Sequence, residues 1–184
     1  ISILIIFLIS INNTEIKERN IDATTSQIGI TESSNKINII SPVHESMIIS
    51  SWNMFKDNIF FGIGPNNFRT LCDKKPYNHD LNTCSNHPHN NLAQIMAETG
   101  IFGTIIFVLA FTYVSCKLLS HFIRVILHKD KQLSDYQLCL LSAILLSLWP
   151  FLPTLNFFGN YNNVIYYLPV GFYLQSIYLE RKKI

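Results

Sequence analysis

The feature that most limits how this chain folds is a stretch without any Asp, Glu, Lys, Arg or His, which runs from Tyr136 to Leu179. A helix on the surface of a water-soluble domain needs a solvated polar face, so such a long gap is rare in soluble proteins. Burial of this stretch in a lipid bilayer explains the gap more simply than a water-soluble fold does. The sequence therefore predicts an all-α polytopic membrane protein, although 184 residues would by themselves allow one soluble domain.

Apolar stretches indicate where the chain crosses the membrane, because a membrane helix needs about 20 mostly apolar residues. Pro150 and Pro153 are expected to kink or end the second of these spans. The chain opens inside an apolar run that is too short to span, so we interpret it as a C-terminal fragment; a cleaved signal peptide is the alternative. The predicted segments are a truncated membrane helix at 1–11, a large loop with short helices at 12–100, spans at 101–119, 138–158 and 164–179, a loop at 120–137, a turn at 159–163 and a tail at 180–184.

Basic residues predict the orientation, because short cytoplasmic loops are enriched in Lys and Arg. Four basic residues lie within or just after the first full span, and three more lie at the chain end: Lys117, Arg124, Lys129, Lys131, Arg181, Lys182 and Lys183. Both regions should be cytoplasmic. The large loop at 12–100 and the turn at 159–163 are then expected on the opposite, periplasmic side.

One helix is predicted inside the large loop. Ser41-Pro42 is typical of a helix cap followed by a proline in the first turn. A helix lying on the membrane surface would fit the pattern, and a helix packed on other protein helices fits it equally well. The apolar residues that recur at helical spacing are Met47, Ile48, Trp52, Phe55 and Ile59.

The four cysteines fall into two pairs with different expected fates. Cys72 and Cys84 lie in the large loop, where an oxidising compartment would permit a disulfide, but the sequence does not show whether their α-carbons approach closely enough. Cys116 and Cys139 lie in or beside spans, and we expect them to be inert packing residues.

The stretch that suggests chemistry runs from Phe61 to Thr104. It contains Gly62-Ile63-Gly64 followed by Phe68-Arg69, and then His89-Asn90, nine residues, and Gly100-Ile101-Phe102-Gly103. The residues that predict a short helix, beginning near His89 and broken at Gly100, are Leu92, Ile95, Met96 and Thr99.

A histidine at a helix start is suited to act as a base. The partial positive charge of the helix terminus disfavours imidazolium and attracts anions such as phosphate. Arg69 could hold such a phosphate bidentately. On the residues alone, however, His89 is more often a capping or surface residue and Arg69 a solvated one.

The pattern of His-Asn, nine residues and Gly-x-x-Gly-Thr, preceded by Gly-x-Gly and Phe-Arg, resembles the bacterial O-antigen ligase and polymerase family over about residues 40–120. The resemblance implies transfer of a glycan from undecaprenyl pyrophosphate to an acceptor hydroxyl, such as lipid A core, at the periplasmic face of the inner membrane. It implies His89 as the base and Arg69 as the group that steadies the pyrophosphate. It further implies substrate contacts at Asn90 and at His44, where many relatives have arginine. The resemblance implies no metal or other cofactor. It also implies structural glycines at Gly62, Gly64, Gly100 and Gly103.

Several alternatives stay open at this stage. The acceptor could be a second glycan, as in a polymerase, or a protein, as in an O-oligosaccharyltransferase. A non-catalytic transporter subunit for the lipid-linked glycan is also compatible, although the last two spans have no ionisable residue. Nothing indicates nucleic acid as a partner; membrane lipids are expected partners. Potential zinc ligands at poor spacing are His79, Cys84, His87 and His89.

Overall fold

The structure is a computed structural model that describes residues 14–18, 22, 25, 41–79 and 83–182, so the truncated helix predicted at 1–11 lies outside the described residues. Contacts divide the chain into two units, residues 1–46 and 47–184. Within the described ranges the regular structure is helical. The helices are α1 (Thr14–Lys17), α2 (Pro42–Asp57), α3 (Phe68–Leu71), α4 (Asn91–His128), α5 (Asp135–Ser147) and α6 (Asn160–Arg181).

The helix α4 contains the predicted short helix and the first predicted span in one element. Asn90 caps it, because its side chain accepts a hydrogen bond from the backbone N–H of Ala93 at 2.9 Å. At Gly100 the backbone leaves helical geometry, with φ 65° and ψ −159°, and the helix then resumes. In the part of the chain that the structure describes, Asn91–Leu127 is the one segment long and apolar enough to cross a membrane.

The second predicted span, 138–158, is not a single helix. A capping box between Ser134 and Gln137 starts α5, which ends at Ser147 after 13 residues. Residues 148–159 form an irregular connection, because Pro150 and Pro153 each lack the N–H that a continued helix requires. Thirteen helical residues extend only about 20 Å, so α5 alone is shorter than the hydrocarbon core.

The helix α6 includes the predicted span 164–179 and most of the predicted turn at 159–163, because its cap is Gly159. It packs with α4 and α5 around one apolar core. The buried members of that core are Val114, Leu118, Leu133, Leu141, Ile144 and Tyr173.

The helix α2 begins at Pro42 as predicted, but of the five apolar residues at helical spacing only Met47 is buried. Trp52 and Ile59 are 47% and 48% exposed. The buried face instead carries Ser50 and Ser51, whose small side chains permit close packing, and the hydroxyl of Ser51 is satisfied by donating to the carbonyl of Met47 at 2.9 Å. This face packs on protein, in a second core made of Met47, Met54, Phe68, Cys72 and Ala97.

Candidate active site

The break at Gly100 creates the docking point for the Gly62-Ile63-Gly64 segment. In an unbroken helix the N–H of Ile101 would bond the carbonyl of Ala97, but here it donates to the carbonyl of Ile59 at 2.7 Å. The carbonyl of Ala97 accepts from Ile63 N–H at 2.9 Å, and that of Glu98 accepts from Gly64 N–H at 3.0 Å. The N–H groups of the loop therefore bond the carbonyls that the break leaves without a partner in the helix.

Glycine is required on both sides of this contact. Gly62 and Gly100 have φ of +66° and +65°, a region that other residues rarely adopt. A Cβ on Gly62 would collide with the backbone of Glu98 and Thr99, and a Cβ on Gly103 would collide with the side chain of Thr99. Gly64 also has a positive φ, of +92°. Gly62 and Gly100 thus lie where two backbones approach too closely for a side chain, whereas Gly64 and Gly103 approach only the side chains of Asn67 and Thr99.

A disulfide connects the arginine segment to the histidine segment. Cys72 and Cys84 are bonded, with their α-carbons 4.9 Å apart. Cys72 follows the end of α3, three residues after Arg69, and Cys84 precedes His89 by five residues. The two predicted catalytic residues are therefore held on segments that share one covalent crosslink.

His89 lies just before the helix α4, at a strained backbone position. Its φ is +54°, and the cap is the next residue, Asn90, so the helix begins slightly later than predicted. The Nε2 of His89 lies 3.2 Å from the Oγ of Ser85. The imidazole is half-buried, and strained backbone positions of this kind cluster at functional sites.

His87 lies beside His89, and sequence reasoning considered it only as a metal ligand. The two rings are tilted by 47°, with centroids 4.1 Å apart. The Nε2 of His87 lies 3.1 Å from the carbonyl of Thr154, an acceptor, so this nitrogen carries the proton. Burial lowers the pKa of His87 below its usual value, partly opposed by the bond to Thr154 and by the charge of Glu98. A neutral His87 places no positive charge beside the ring of His89.

The connection between α5 and α6, which was predicted to be membrane helix, instead contacts the histidine segment. The N–H of Thr154 donates to the carbonyl of His89 at 2.8 Å, which supports the left-handed conformation there. The Nδ2 of Asn90 donates to the carbonyl of Pro150 at 2.7 Å. Because Asn90 also caps α4 through Oδ1, both ends of its amide are engaged, which suits it to positioning. The sequence signals that could have indicated this connection are Pro150, Pro153 and Asn156.

Arg69 and His44 are placed differently. Arg69 is exposed on the short helix α3, so its guanidinium is accessible to an anion. His44 lies half-buried in the first turn of α2, within the first unit, whereas Arg69 and His89 belong to the second.

Two of the four potential zinc ligands have other partners. The sulfur of Cys84 is in the disulfide, and the Nε2 of His79 lies 2.8 Å from the Nδ2 of Asn53. Among the described residues no three His, Cys, Asp or Glu side chains form a cluster suited to a metal.

An apolar cavity of about 580 Å³ lies between α4, α5 and α6 and reaches the helix break. Its wall near the break includes Thr99 and Gly103, and hydrophobic and aromatic side chains line the remainder. Such a cavity suits hydrocarbon rather than sugar. Lining residues along its length include Ile95, Phe107, Leu141, Phe157 and Tyr173.

Comparison with known proteins identifies a family. The family model described as O-antigen ligase matches residues 2–108, which is more than half of the 184 residues. No curated protein and no solved structure matches the chain. The matched range contains Arg69, His89 and the four structural glycines, and the family indicates glycan transfer of the O-antigen ligase or polymerase type. The chain therefore belongs to the O-antigen ligase family.

Proposed function

We propose that this protein transfers a glycan from undecaprenyl pyrophosphate to an acceptor hydroxyl, such as one on lipid A core. The observation that carries the proposal is that the arginine and histidine segments share one scaffold. The disulfide joins Cys72 to Cys84, and the Gly62–Gly64 segment bonds the helix that follows His89. A base and a phosphate-binding group must be held in fixed geometry for such a reaction.

In this scheme His89 takes the proton of the acceptor hydroxyl while that oxygen bonds the anomeric carbon of the glycan. The bond between that carbon and the pyrophosphate oxygen breaks, and the electron pair leaves with the lipid pyrophosphate. Arg69 neutralises charge on this leaving group through its fork of N–H donors. Ser85, at 3.2 Å from His89, orients the imidazole. No metal is needed, because the leaving group is already activated.

The lipid part of the donor has a suitable place. The apolar cavity reaches Thr99 and Gly103, next to the break in α4. A polyprenyl chain could enter this cavity from the bilayer while its pyrophosphate remains at the level of Arg69. The break at Gly100 then marks the boundary between the reaction site and the hydrocarbon region.

The membrane arrangement follows from the same argument. We assign the protein to the bacterial inner membrane as a multi-pass protein with the 12–100 region in the periplasm. Three features support this: the helix Asn91–Leu127, the basic residues beyond it, and a disulfide that an oxidising compartment would maintain.

The test compares His89→Ala with wild type in the complete protein, expressed in a host that lacks its own ligase. The matched control is His79→Ala, which removes an exposed imidazole from the same loop. We expect His89→Ala to abolish transfer and to cause lipid-linked glycan to accumulate, with membrane protein levels equal to wild type. The control should retain full transfer.

Each outcome has a definite meaning. Transfer by His89→Ala at the wild-type rate contradicts the role of His89 as base. Equal loss in the control shows that the loss is not specific to His89 and likewise contradicts its role as base. Product analysis separates the acceptors, since a polymerase extends the glycan on its lipid carrier, whereas a ligase moves it to lipid A core.

A further inference from the structure

Glu98 is a fully buried acid that the proposed reaction does not use. Its exposure is 0%. The Oε1 atom accepts from the N–H of Phe68 at 2.9 Å, and Oε2 accepts from the N–H of Asn66 at 2.9 Å. Gln94 donates a third bond to Oε2 at 3.1 Å. Both oxygens accept hydrogen bonds from N–H groups. A polar group buried in this way is costly unless it is hydrogen-bonded, so its placement needs a reason.

The groups that Glu98 holds lie directly before Arg69. Phe68 is the first residue of α3, and its N–H is one of the donors that a helix start leaves without a partner. Asn67, at the cap position, makes no capping bond with its side chain. Glu98 on α4 therefore satisfies the start of α3 from outside the helix.

The helix α3 cannot hold Arg69 in place by itself. It has four residues, far fewer than the about 12 that an isolated helix needs for even marginal stability. Asn66, in the turn before α3, has a positive φ of 60°, a left-handed conformation that few residues other than glycine and asparagine adopt. Glu98 bonds the N–H of Asn66 and of Phe68, and so fixes both the turn and the helix start.

We propose that Glu98 is a positioning residue that sets the place of the Arg69 guanidinium relative to His89. This rests on the proposed function, in which Arg69 contacts the pyrophosphate. Glu98 lies in α4 two residues before the break at Gly100, and His89 lies nine residues earlier, immediately before the residue that caps this helix. The carboxylate thereby connects the phosphate-binding helix to the element that carries the base.

The test is a double-mutant cycle in the complete protein, measured as initial transfer rates against donor concentration. The variants are Glu98→Gln, Arg69→Ala and the double variant, and the matched control is Glu180→Gln at the exposed end of α6. Glutamine keeps the shape of Glu98 but turns one acceptor into a donor that faces another N–H. We expect kcat/KM for the donor to fall between about tenfold and about a hundredfold, because a displacement on the order of 1 Å has an effect of this size.

The decisive result is the double variant. If Glu98 acts through Arg69, adding Glu98→Gln to Arg69→Ala lowers kcat/KM no further, and the control equals wild type. Should the glutamine variant fail to accumulate in membranes, the cycle is run with Glu98→Asp, which keeps both acceptor oxygens on a shorter arm and should lose less activity.

Three outcomes overturn the proposal. Losses that multiply in the double variant show that Glu98 acts elsewhere, while the proposed function survives through the effects of Arg69→Ala and His89→Ala. Wild-type rates for Glu98→Gln show that the bonds do not position a catalytic group. Wild-type rates for Arg69→Ala remove the role of Arg69 itself, and the role of Glu98 with it.

Discussion

Replacing Gly100 with alanine tests whether the break in α4 is required. The backbone there has φ 65° and ψ −159°, a combination that costs other residues about 1–3 kcal/mol. The new Cβ would lie 2.5 Å from the carbonyl carbon and oxygen of Phe60 and 2.6 Å from the oxygen of Ile59. These are backbone atoms, so no side-chain rotation relieves the collision. The turn at 59–61 must move, and the bond from Ile101 N–H to Ile59, worth about 1 kcal/mol, is weakened or lost.

The expected loss in free energy of unfolding is therefore about 2–4 kcal/mol. The matched control is Gly171→Ala, in the helix α6, where an added Cβ meets nothing within 4 Å. Because alanine favours helix over glycine, this control should be unchanged or stabilised by up to about 1 kcal/mol. The assay is the fraction of detergent-solubilised complete protein that stays soluble after heating, with transfer rates measured in parallel. A Gly100→Ala protein with a thermal midpoint at or above that of Gly171→Ala would refute the reasoning.

Two further predictions concern the loop that holds His89. Burial lowers the pKa of His87 in the folded protein. Below pH 6.5, its ordinary pKa, the unfolded chain therefore binds a proton that the folded chain does not. The free energy of unfolding consequently decreases as the pH is lowered. The decrease in thermal midpoint between about pH 7.5 and about pH 5.5 should be smaller for His87→Gln than for wild type. An equal decrease in the two proteins would contradict the role of His87 in this pH dependence. Removing the disulfide with Cys72→Ala and Cys84→Ala should cost about 3 kcal/mol, since the bond closes a loop between residues 12 apart. Reductant should destabilise wild type but not this variant, and free reaction of both thiols before reduction would contradict the pairing.

Local signals in the sequence predicted the elements that caps and glycines determine. Pro42 starts α2, the helix after His89 breaks at Gly100, and Gly62 and Gly100 fall where two backbones meet. These features depend on one residue and its immediate neighbours, so the sequence contains what is needed to locate them.

Features that depend on distant partners were missed. The buried face of α2 was not identified because Ser50 and Ser51 look polar, and only the packed structure shows that their small size allows burial. The connection after α5 has the apolar composition of a membrane span, and its contact through Thr154 with His89 joins residues 65 positions apart. The capping of α3 by Glu98 likewise requires knowledge of how α3 and α4 pack. Composition carries no information about such pairings.

The crosslink between Cys72 and Cys84 has a consequence for how this protein can change over evolution. The disulfide joins the two residues that flank 73–83, so insertions or deletions within this stretch need not shift the segments on either side. A loop closed at its base can exchange length and composition at small entropic cost, about 0.6 kcal/mol for each doubling. The segment 73–83 can therefore diversify while the segments that carry Arg69 and His89 keep their spacing.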